Sequence, residues 1–134
     1  VWVKIPSTKT GFKAISILSN QGISINQTLC FSVNQALLGV HAGSTVVSPF
    51  IGRFDDGGQT GMDLIGDLSS IFKNYGYKTK VMAASIRHPL HCVQAAKNGA
   101  DIATIPFDVL EKMANHVLTD SGMRKFLDDW EQKS

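Results

Sequence analysis

The sequence predicts an α/β fold with a parallel β-sheet. Strand-like and helix-like segments alternate five times along the 134 residues. No two strand-like segments are joined by the short Gly- or Asn-rich turn that closes a β-hairpin. Each predicted strand is followed instead by a helix, which is the crossover that parallel strands require. We therefore expect right-handed βαβ units in a single domain covering residues 1–134.

Short apolar runs mark the five predicted strands. They cover residues 1–5, 23–29, 44–49, 79–84 and 101–106. In the first strand, Val1, Val3 and Ile5 alternate with Trp2 and Lys4. Because successive side chains of a strand point to opposite faces, Trp2 and Lys4 are predicted to share one face.

The predicted helices are marked by capping residues and by apolar residues at helical spacing. The first follows the cap candidates Ser7 and Thr8 and ends before Gly22, and its apolar stripe is Phe12, Ile15, Ile17 and Leu18. The others cover residues 32–41, 62–75, 88–98 and 109–116, and a last helix begins at the Thr119-Asp120 cap with the stripe Met123, Phe126, Leu127 and Trp130. We expect that last stripe to pack in the core, or Trp130 to dock on a neighbouring subunit. Residues 52–58 are rich in Gly and Asp and are predicted to form a loop.

Composition and charge exclude several classes of function. The net charge of +2 is too small to indicate a nucleic-acid or membrane-surface partner, and no segment approaches the ~20 apolar residues that span a bilayer. Cys30 and Cys92 have neither metal-ligand nor redox spacing, so we expect reduced thiols in a cytoplasmic protein. The chain opens inside a strand without Met or a leader, and we expect that this is not a natural start.

Two architectures fit the alternation of strands and helices. A five-stranded, doubly wound sheet of the flavodoxin type fits the chain length. A (β/α)8 barrel fits the rhythm but needs roughly 200 residues or more. The glycine-rich fingerprints of nucleotide-binding loops are absent from the sequence. From the residues alone, both architectures stay open.

Polar or aromatic side chains occur at the ends of four successive strands. They are Trp2 and Lys4, then Asn26 and Thr28, then Ser48 and Phe50 with Arg53 just beyond, then Ser85 and Arg87. Residues i and i+2 of a strand share a face, and the carboxyl ends of parallel strands meet at one edge of a sheet. We therefore expect these side chains to converge on a site.

The residue types indicate a site for a phosphorylated sugar. Arg53 and Arg87 offer forked cationic donors and Ser85 a hydroxyl, which suits a phosphate monoester. Asn26 and Ser48 have groups that hydrogen-bond sugar hydroxyls. Each residue also fits a structural role: Arg53 as a surface charge, Arg87 as the partner of surface carboxylates, and Ser85 as a helix cap.

Lys4 is the candidate nucleophile. Lys4 is predicted to be enclosed beside Trp2 and to face two arginines. Desolvation and repulsion between like charges would then disfavour its charged form. A neutral amine attacks carbonyls to form Schiff bases. Thr28 is a candidate for holding a water used in proton transfer. The alternative is a solvated edge lysine whose stem covers apolar surface.

Metal binding is weakly indicated. His88 and His91 are spaced i, i+3 at a helix start, but the sequence places no third ligand beside them, so we predict no metal. Asp55 and Asp56 precede two glycines and are predicted to form a turn.

Six ordered motifs resemble the transaldolase family in its short bacterial and archaeal form. They are VKIPST at 3–8, NQT at 26–28, VSPFIGR at 47–53, AASIRHP at 83–89, GADIATIP at 99–106 and KFLDDW at 125–130. The resemblance covers the whole chain. It implies a (β/α)8 barrel of which this chain supplies about five βα units, strands four to eight, in a partial barrel domain without the three N-terminal units. It also implies sugar-phosphate substrates, no cofactor, and a homo-oligomer such as a decamer.

The resemblance assigns roles by position. It makes Lys4 the Schiff-base lysine and Thr28 the holder of the catalytic water. Asn26 and Ser48 then match contacts to substrate hydroxyls, and the phosphate site consists of Arg53, Ser85 and Arg87. Phe50 stands where the related fructose-6-phosphate aldolases carry a tyrosine, which favours transaldolase.

One departure from the family's pattern is large. The acidic residue on the family's first strand, and its carboxylate or amide partner on the third, are not in this chain. We therefore expect the chain alone to be inactive or nearly so. The alternatives are the aldolase of the same family and a non-catalytic phosphosugar-binding module of flavodoxin-like topology.

Overall fold

A computed structural model describes residues 1–132 as one parallel sheet flanked by helices. The strands are β1 (Val3–Pro6), β2 (Ile25–Cys30), β3 (Val46–Pro49), β4 (Lys80–Ala83) and β5 (Ile102–Ala103). All five predicted strands are present, with bounds shifted by a few residues. The fifth is much shorter than the predicted 101–106.

The strands lie in the order β1-β2-β3-β4-β5, and each is parallel to its neighbours. A flavodoxin-like sheet reverses its strand order near the middle, whereas successive strands of a barrel stay adjacent all the way round. The doubly wound alternative is therefore wrong. The sheet has the order of an arc of a (β/α)8 barrel.

Seven helices are found among residues 1–132. They are α1 (Lys9–Asn20), α2 (Val33–Ala42), α3 (Ile51–Asp56), α4 (Gly61–Tyr75), α5 (Pro89–Lys97), α6 (Phe107–Ala114) and α7 (Val117–Glu131). The predicted caps of the first two are confirmed, because the Thr8 and Ser32 hydroxyls accept from the backbone N–H groups of Gly11 and Gln35. None of these helices is long and apolar enough to cross a membrane.

Two segments differ from the sequence prediction. The predicted loop at 52–58 is largely the short helix α3, because Ile51 and Gly52 are buried against the end of β4 and tertiary packing overrides the local Gly and Asp content. Helix α7 begins at Val117 and is capped by His116, whose Nδ1 accepts from the N–H of Leu118. The predicted cap at Thr119-Asp120 is therefore wrong.

The hydrophobic core lies between the sheet and the helices. The larger cluster includes Val47 and Val81 of the sheet with Ile65 and Leu68 of α4. The smaller cluster is formed by Ile5, Ile15 and Ile25. Since side chains alternate along a strand, residues one position away from these core residues, including the polar ones predicted for the site, belong to the opposite face of the sheet.

Two predicted apolar stripes are not buried as expected, the α1 stripe in part and the α7 stripe throughout. Ile17 in α1 is 60% exposed and does not belong to the core. The α7 stripe is exposed along its whole length, with Phe126 70% and Leu127 59% exposed, so its predicted packing in the core is wrong. No residue of α7 is buried.

Candidate active site

The centre of the candidate site is a buried polar pair on β2 and β3. Ser48 donates its hydroxyl proton to Asn26 Oδ1 over 2.6 Å, and both residues are less than 7% exposed. The Asn26 amide nitrogen lies 3.8 Å from the Met82 sulfur of β4. The structure therefore brings two of the predicted substrate contacts together, on the face of the sheet opposite the helix-packed core.

Lys4 lies beside this pair, because it is the register partner of Asn26 between β1 and β2. Its predicted burial is wrong: Lys4 is exposed, and Trp2 is 43% exposed. The reason is that β1 is an edge strand of the described sheet, paired on one side only. The geometry thus gives Lys4 its predicted position at the strand end without the predicted enclosure.

Thr28 is held in place by hydrogen bonds from Ser7, which follows β1. Its carbonyl accepts from both the backbone N–H and the hydroxyl of Ser7, at 3.0 and 2.9 Å. Ser7 in turn accepts from the Gln27 amide at 3.0 Å, and Gln27 is fully buried. The Thr28 side chain makes no hydrogen bond to other residues in 1–132, so its hydroxyl is left available for a water or a substrate.

Phe50 and Arg53 lie close together where β3 passes into α3. The Arg53 guanidinium carbon lies 5.4 Å from the centre of the Phe50 ring, a distance typical of a cation–π contact. Phe50 also packs edge-on against Phe31, with ring centroids 6.0 Å apart. Arg53 belongs to a helix and not to the predicted loop, which fixes its backbone more firmly than a loop would.

Ser85 and Arg87 follow β4 but not as strand residues. The strand ends at Ala83, and Ser85 adopts a left-handed backbone with φ of 61°. The prediction that Ser85 and Arg87 share a strand face is therefore wrong. A left-handed conformation costs a non-glycine residue of order 1–3 kcal/mol and is often found at functional sites.

The structure brings residues 85–87 against α3. The Arg87 guanidinium donates to Asp56 Oδ2 at 2.8 Å, an exposed ion pair, as the alternative role for Arg87 anticipated. An added Cβ on Gly52 of α3 would lie 2.1 Å from the Ser85 carbonyl oxygen. The three predicted phosphate ligands therefore belong to two closely packed backbone segments.

Sequence reasoning missed the residues that join these segments. Asp55 and Asp56, predicted to form a turn, lie at the end of α3 and contact His91 and Arg87. Asp55 Oδ2 lies 2.8 Å from His91 Nε2, and Asp55 Oδ1 accepts from the N–H of Gly61 at 3.0 Å. Neither pairing has a local spacing signal, since the partners come from different βα units.

The fold and these strand ends define a class: a partial (β/α)8 barrel with its polar groups at the carboxyl ends of the strands. The sequence model of the Transaldolase/Fructose-6-phosphate aldolase family matches residues 1–134. The chain therefore belongs to that family, which confirms the resemblance. The family's fold is a TIM barrel, of which the chain covers about five βα units.

Curated relatives carry consistent names. A probable transaldolase of Methanococcus maripaludis is 60% identical over 131 residues, which are 98% of this chain and 61% of the relative. A probable transaldolase of Dehalococcoides mccartyi is 61% identical over 130 residues, 97% of the chain and 60% of the relative. One from Anaeromyxobacter sp. is 52% identical over 132 residues, with shares of 98% and 61%. The chain spans about three-fifths of the length of these relatives.

Proposed function

We propose that the complete protein containing this chain is a transaldolase of the pentose phosphate pathway. It transfers a dihydroxyacetone unit from fructose 6-phosphate or sedoheptulose 7-phosphate to an aldose phosphate. The observation that carries the proposal is the placement of Lys4 in register with Asn26, whose amide is bonded to the buried Ser48. The relatives' name, probable transaldolase, supports the same reaction.

The proposed chemistry begins at the Lys4 amine. It attacks the C2 ketone of the donor, and loss of water leaves an imine on Lys4. The C3–C4 bond then breaks, the C4 hydroxyl gives its proton to a water in the site, and glyceraldehyde 3-phosphate leaves. The electron pair of the broken bond becomes the enamine, because the iminium nitrogen is the electron sink. The enamine adds to the aldehyde carbon of erythrose 4-phosphate, the aldehyde oxygen takes up a proton from that water, and hydrolysis of the resulting imine releases sedoheptulose 7-phosphate from Lys4.

The other residues have binding roles in this proposal. Asn26 and Ser48 hydrogen-bond donor hydroxyls, and Thr28 holds the water that shuttles protons during imine formation and hydrolysis. The phosphate group is bound by Arg53, Ser85 and Arg87. The chain needs no metal or organic cofactor for these steps, because the lysine itself supplies the electron sink.

The second candidate is fructose-6-phosphate aldolase, which cleaves the same donor without a transfer. Phe50 favours transaldolase, since the related aldolases carry a tyrosine at this position. The Phe50 ring packs against Phe31 and beneath Arg53 and has no proton to donate. The enamine is then more readily consumed by a second aldehyde than by protonation.

We further propose a cytoplasmic homo-oligomer, with a decamer as the specific form. The exposed stripe of Met123, Phe126 and Leu127 on α7 supports a subunit contact. Residues 1–134 form a partial barrel domain, and as an isolated chain they are inactive or nearly so. The exposure of Lys4 on an edge strand supports this, because an exposed side chain is not held in one orientation toward a substrate carbonyl.

The test is a coupled assay on the complete protein. Release of glyceraldehyde 3-phosphate from fructose 6-phosphate is followed with and without erythrose 4-phosphate. Transaldolase requires the acceptor, whereas aldolase releases product without it. Lys4→Met is expected to abolish release, and Lys9→Met, which changes an exposed lysine of α1, leaves it intact. Full turnover by Lys4→Met would exclude both Schiff-base reactions.

A further inference from the structure

His91 makes two directed contacts through its two ring nitrogens. Nδ1 accepts from the backbone N–H of Arg87 at 3.2 Å, and Nε2 lies 2.8 Å from Asp55 Oδ2. A nitrogen that accepts from an N–H carries no proton, so the neutral ring has its proton on Nε2 and donates it to Asp55. The side chain of His91 is 5% exposed, so water does not compete effectively for these contacts.

Asp55 also contacts a second helix, α4. Its Oδ1 accepts from the N–H of Gly61, the first residue of α4, at 3.0 Å. Both carboxylate oxygens are therefore used, and the end of α3 is tied to α4 and, through His91, to α5. Because Arg53 also belongs to α3, these contacts fix the position of its backbone.

The contact with Arg87 fixes the other half of the candidate phosphate site. Residues 85–87 have no ladder hydrogen bonds of their own beyond the end of β4. The N–H of Arg87 is instead held by His91, and the Arg87 guanidinium is held by Asp56 of α3. One imidazole thus connects the backbone of Arg87 with the helix of Arg53.

The environment of the ring keeps it neutral. Burial lowers the pKa of His91, and the neighbouring His88 and Arg87 lower it further, against the opposing effect of Asp55. A neutral ring accepts from Arg87, whereas a doubly protonated ring does not. Both ring nitrogens of His91 are therefore occupied by protein groups.

We propose that His91 is a positioning residue for phosphate binding. It sets the separation between α3 and residues 85–87, so that Arg53, Ser85 and Arg87 converge on one anion. The inference rests on the proposed function only in taking that anion to be the phosphate of a sugar phosphate. His91 itself touches neither the sugar nor the reacting carbon atoms.

The test uses two substitutions that separate the two contacts. In His91→Asn, the amide oxygen occupies nearly the place of Nδ1 and accepts from Arg87, but the contact with Asp55 is lost. In His91→Gln, the amide group reaches the place of Nε2 near Asp55, but nothing accepts from Arg87. His41→Gln is the matched control, since His41 is exposed and contacts Tyr77.

The readout is the dissociation constant for inorganic phosphate, measured by calorimetry on the complete protein. His91→Gln is expected to weaken binding by about tenfold, the effect of leaving one part-buried donor unsatisfied, and His91→Asn by about threefold or less. Trapping of dihydroxyacetone, which carries no phosphate, on Lys4 with borohydride stays as in wild type. Unchanged phosphate affinity in His91→Gln, or equal losses in both variants, overturns the proposal.

A second variant serves if His91→Gln does not fold. In Asp55→Asn, the amide oxygen keeps the contact with the N–H of Gly61, and the amide N–H faces Nε2 of His91. The ring proton of His91 must then move to Nδ1, where it opposes the N–H of Arg87. Nitrogen NMR is expected to show this proton shift together with weaker phosphate binding. A wild-type ring protonated on Nδ1 overturns the proposal. Absence of the wild-type adduct refutes only the Schiff-base function, since phosphate binding is measured separately.

Discussion

Gly52 lies where α3 approaches residues 85–87, and replacing it with alanine is expected to damage the proposed phosphate site. The added Cβ would lie 2.1 Å from the Ser85 carbonyl oxygen and 2.7 Å from Arg87 Nε. The first distance is about 1.3 Å shorter than the shortest ordinary van der Waals contact. The opposing atom is backbone, and Ser85 already has a left-handed φ of 61°, so it has little freedom to move.

The magnitude follows from two opposing effects. Alanine gains up to ~1 kcal/mol over glycine in a helix. Forcing extra volume into a packed contact costs typically ~1–3 kcal/mol, and an approach this close to a backbone atom belongs at the upper end, ~2–3 kcal/mol. We therefore expect Gly52→Ala to lower the free energy of unfolding by about 1–2 kcal/mol. It is also expected to raise the KM for fructose 6-phosphate, because α3 and residues 85–87 are forced apart.

Urea unfolding and steady-state kinetics on the complete protein measure both effects. The matched control is Gly57→Ala at the end of the same helix, where φ is −90° and the nearest atom lies 3.4 Å from the added Cβ. The control is expected to change stability by no more than ~0.5 kcal/mol. If Gly52→Ala were as stable as wild type with an unchanged KM, the close packing of α3 on residues 85–87 would be refuted.

Three further outcomes are expected. Burial lowers the pKa of His91 from its ordinary value of 6.5. The stabilisation that the neutral ring contributes is therefore complete above about pH 6.5 and is lost as the pH falls through the lower pKa of the folded state. Acid unfolding of His91→Asn should lack this component. Ser48→Ala leaves the buried Asn26 oxygen without its donor and should cost about 1–3 kcal/mol in urea unfolding, whereas Ser70→Ala at an exposed position should be neutral. Burial raises the pKa of Cys30 to about 11, so roughly one thiol in a thousand is ionised at pH 8, and native protein should react with iodoacetamide at this residue only after unfolding.

The strands, the caps of the first two helices and the order of the polar strand ends were predictable because they depend on local signals. Alternating apolar residues predict β2, the adjacent Val46 and Val47 predict β3, and side-chain oxygens at Thr8 and Ser32 cap the first two helices. Strand ends of a parallel sheet meet at one edge whatever the architecture. This is why Asn26 and Ser48 were expected to converge, as the structure confirms.

The remaining features depend on contacts between distant segments. Helix α3 forms where composition indicates a loop, since burial of Ile51 outweighs the propensities of Gly and Asp. The pairing of Asp55 with His91 has no sequence period, because it joins two separate βα units. Enclosure of Lys4 would require cover on the far side of β1, which residues 1–132 do not provide.

The proposed role of Lys4 as the Schiff-base lysine is tested most directly by covalent trapping. The complete protein is incubated with fructose 6-phosphate, reduced with borohydride and digested, and the peptides are mapped by mass spectrometry. Reduction of the imine is predicted to leave a dihydroxyacetone-derived adduct on the peptide containing Lys4. An adduct on another lysine, or no adduct from protein that still binds the sugar phosphate, would contradict the proposed mechanism.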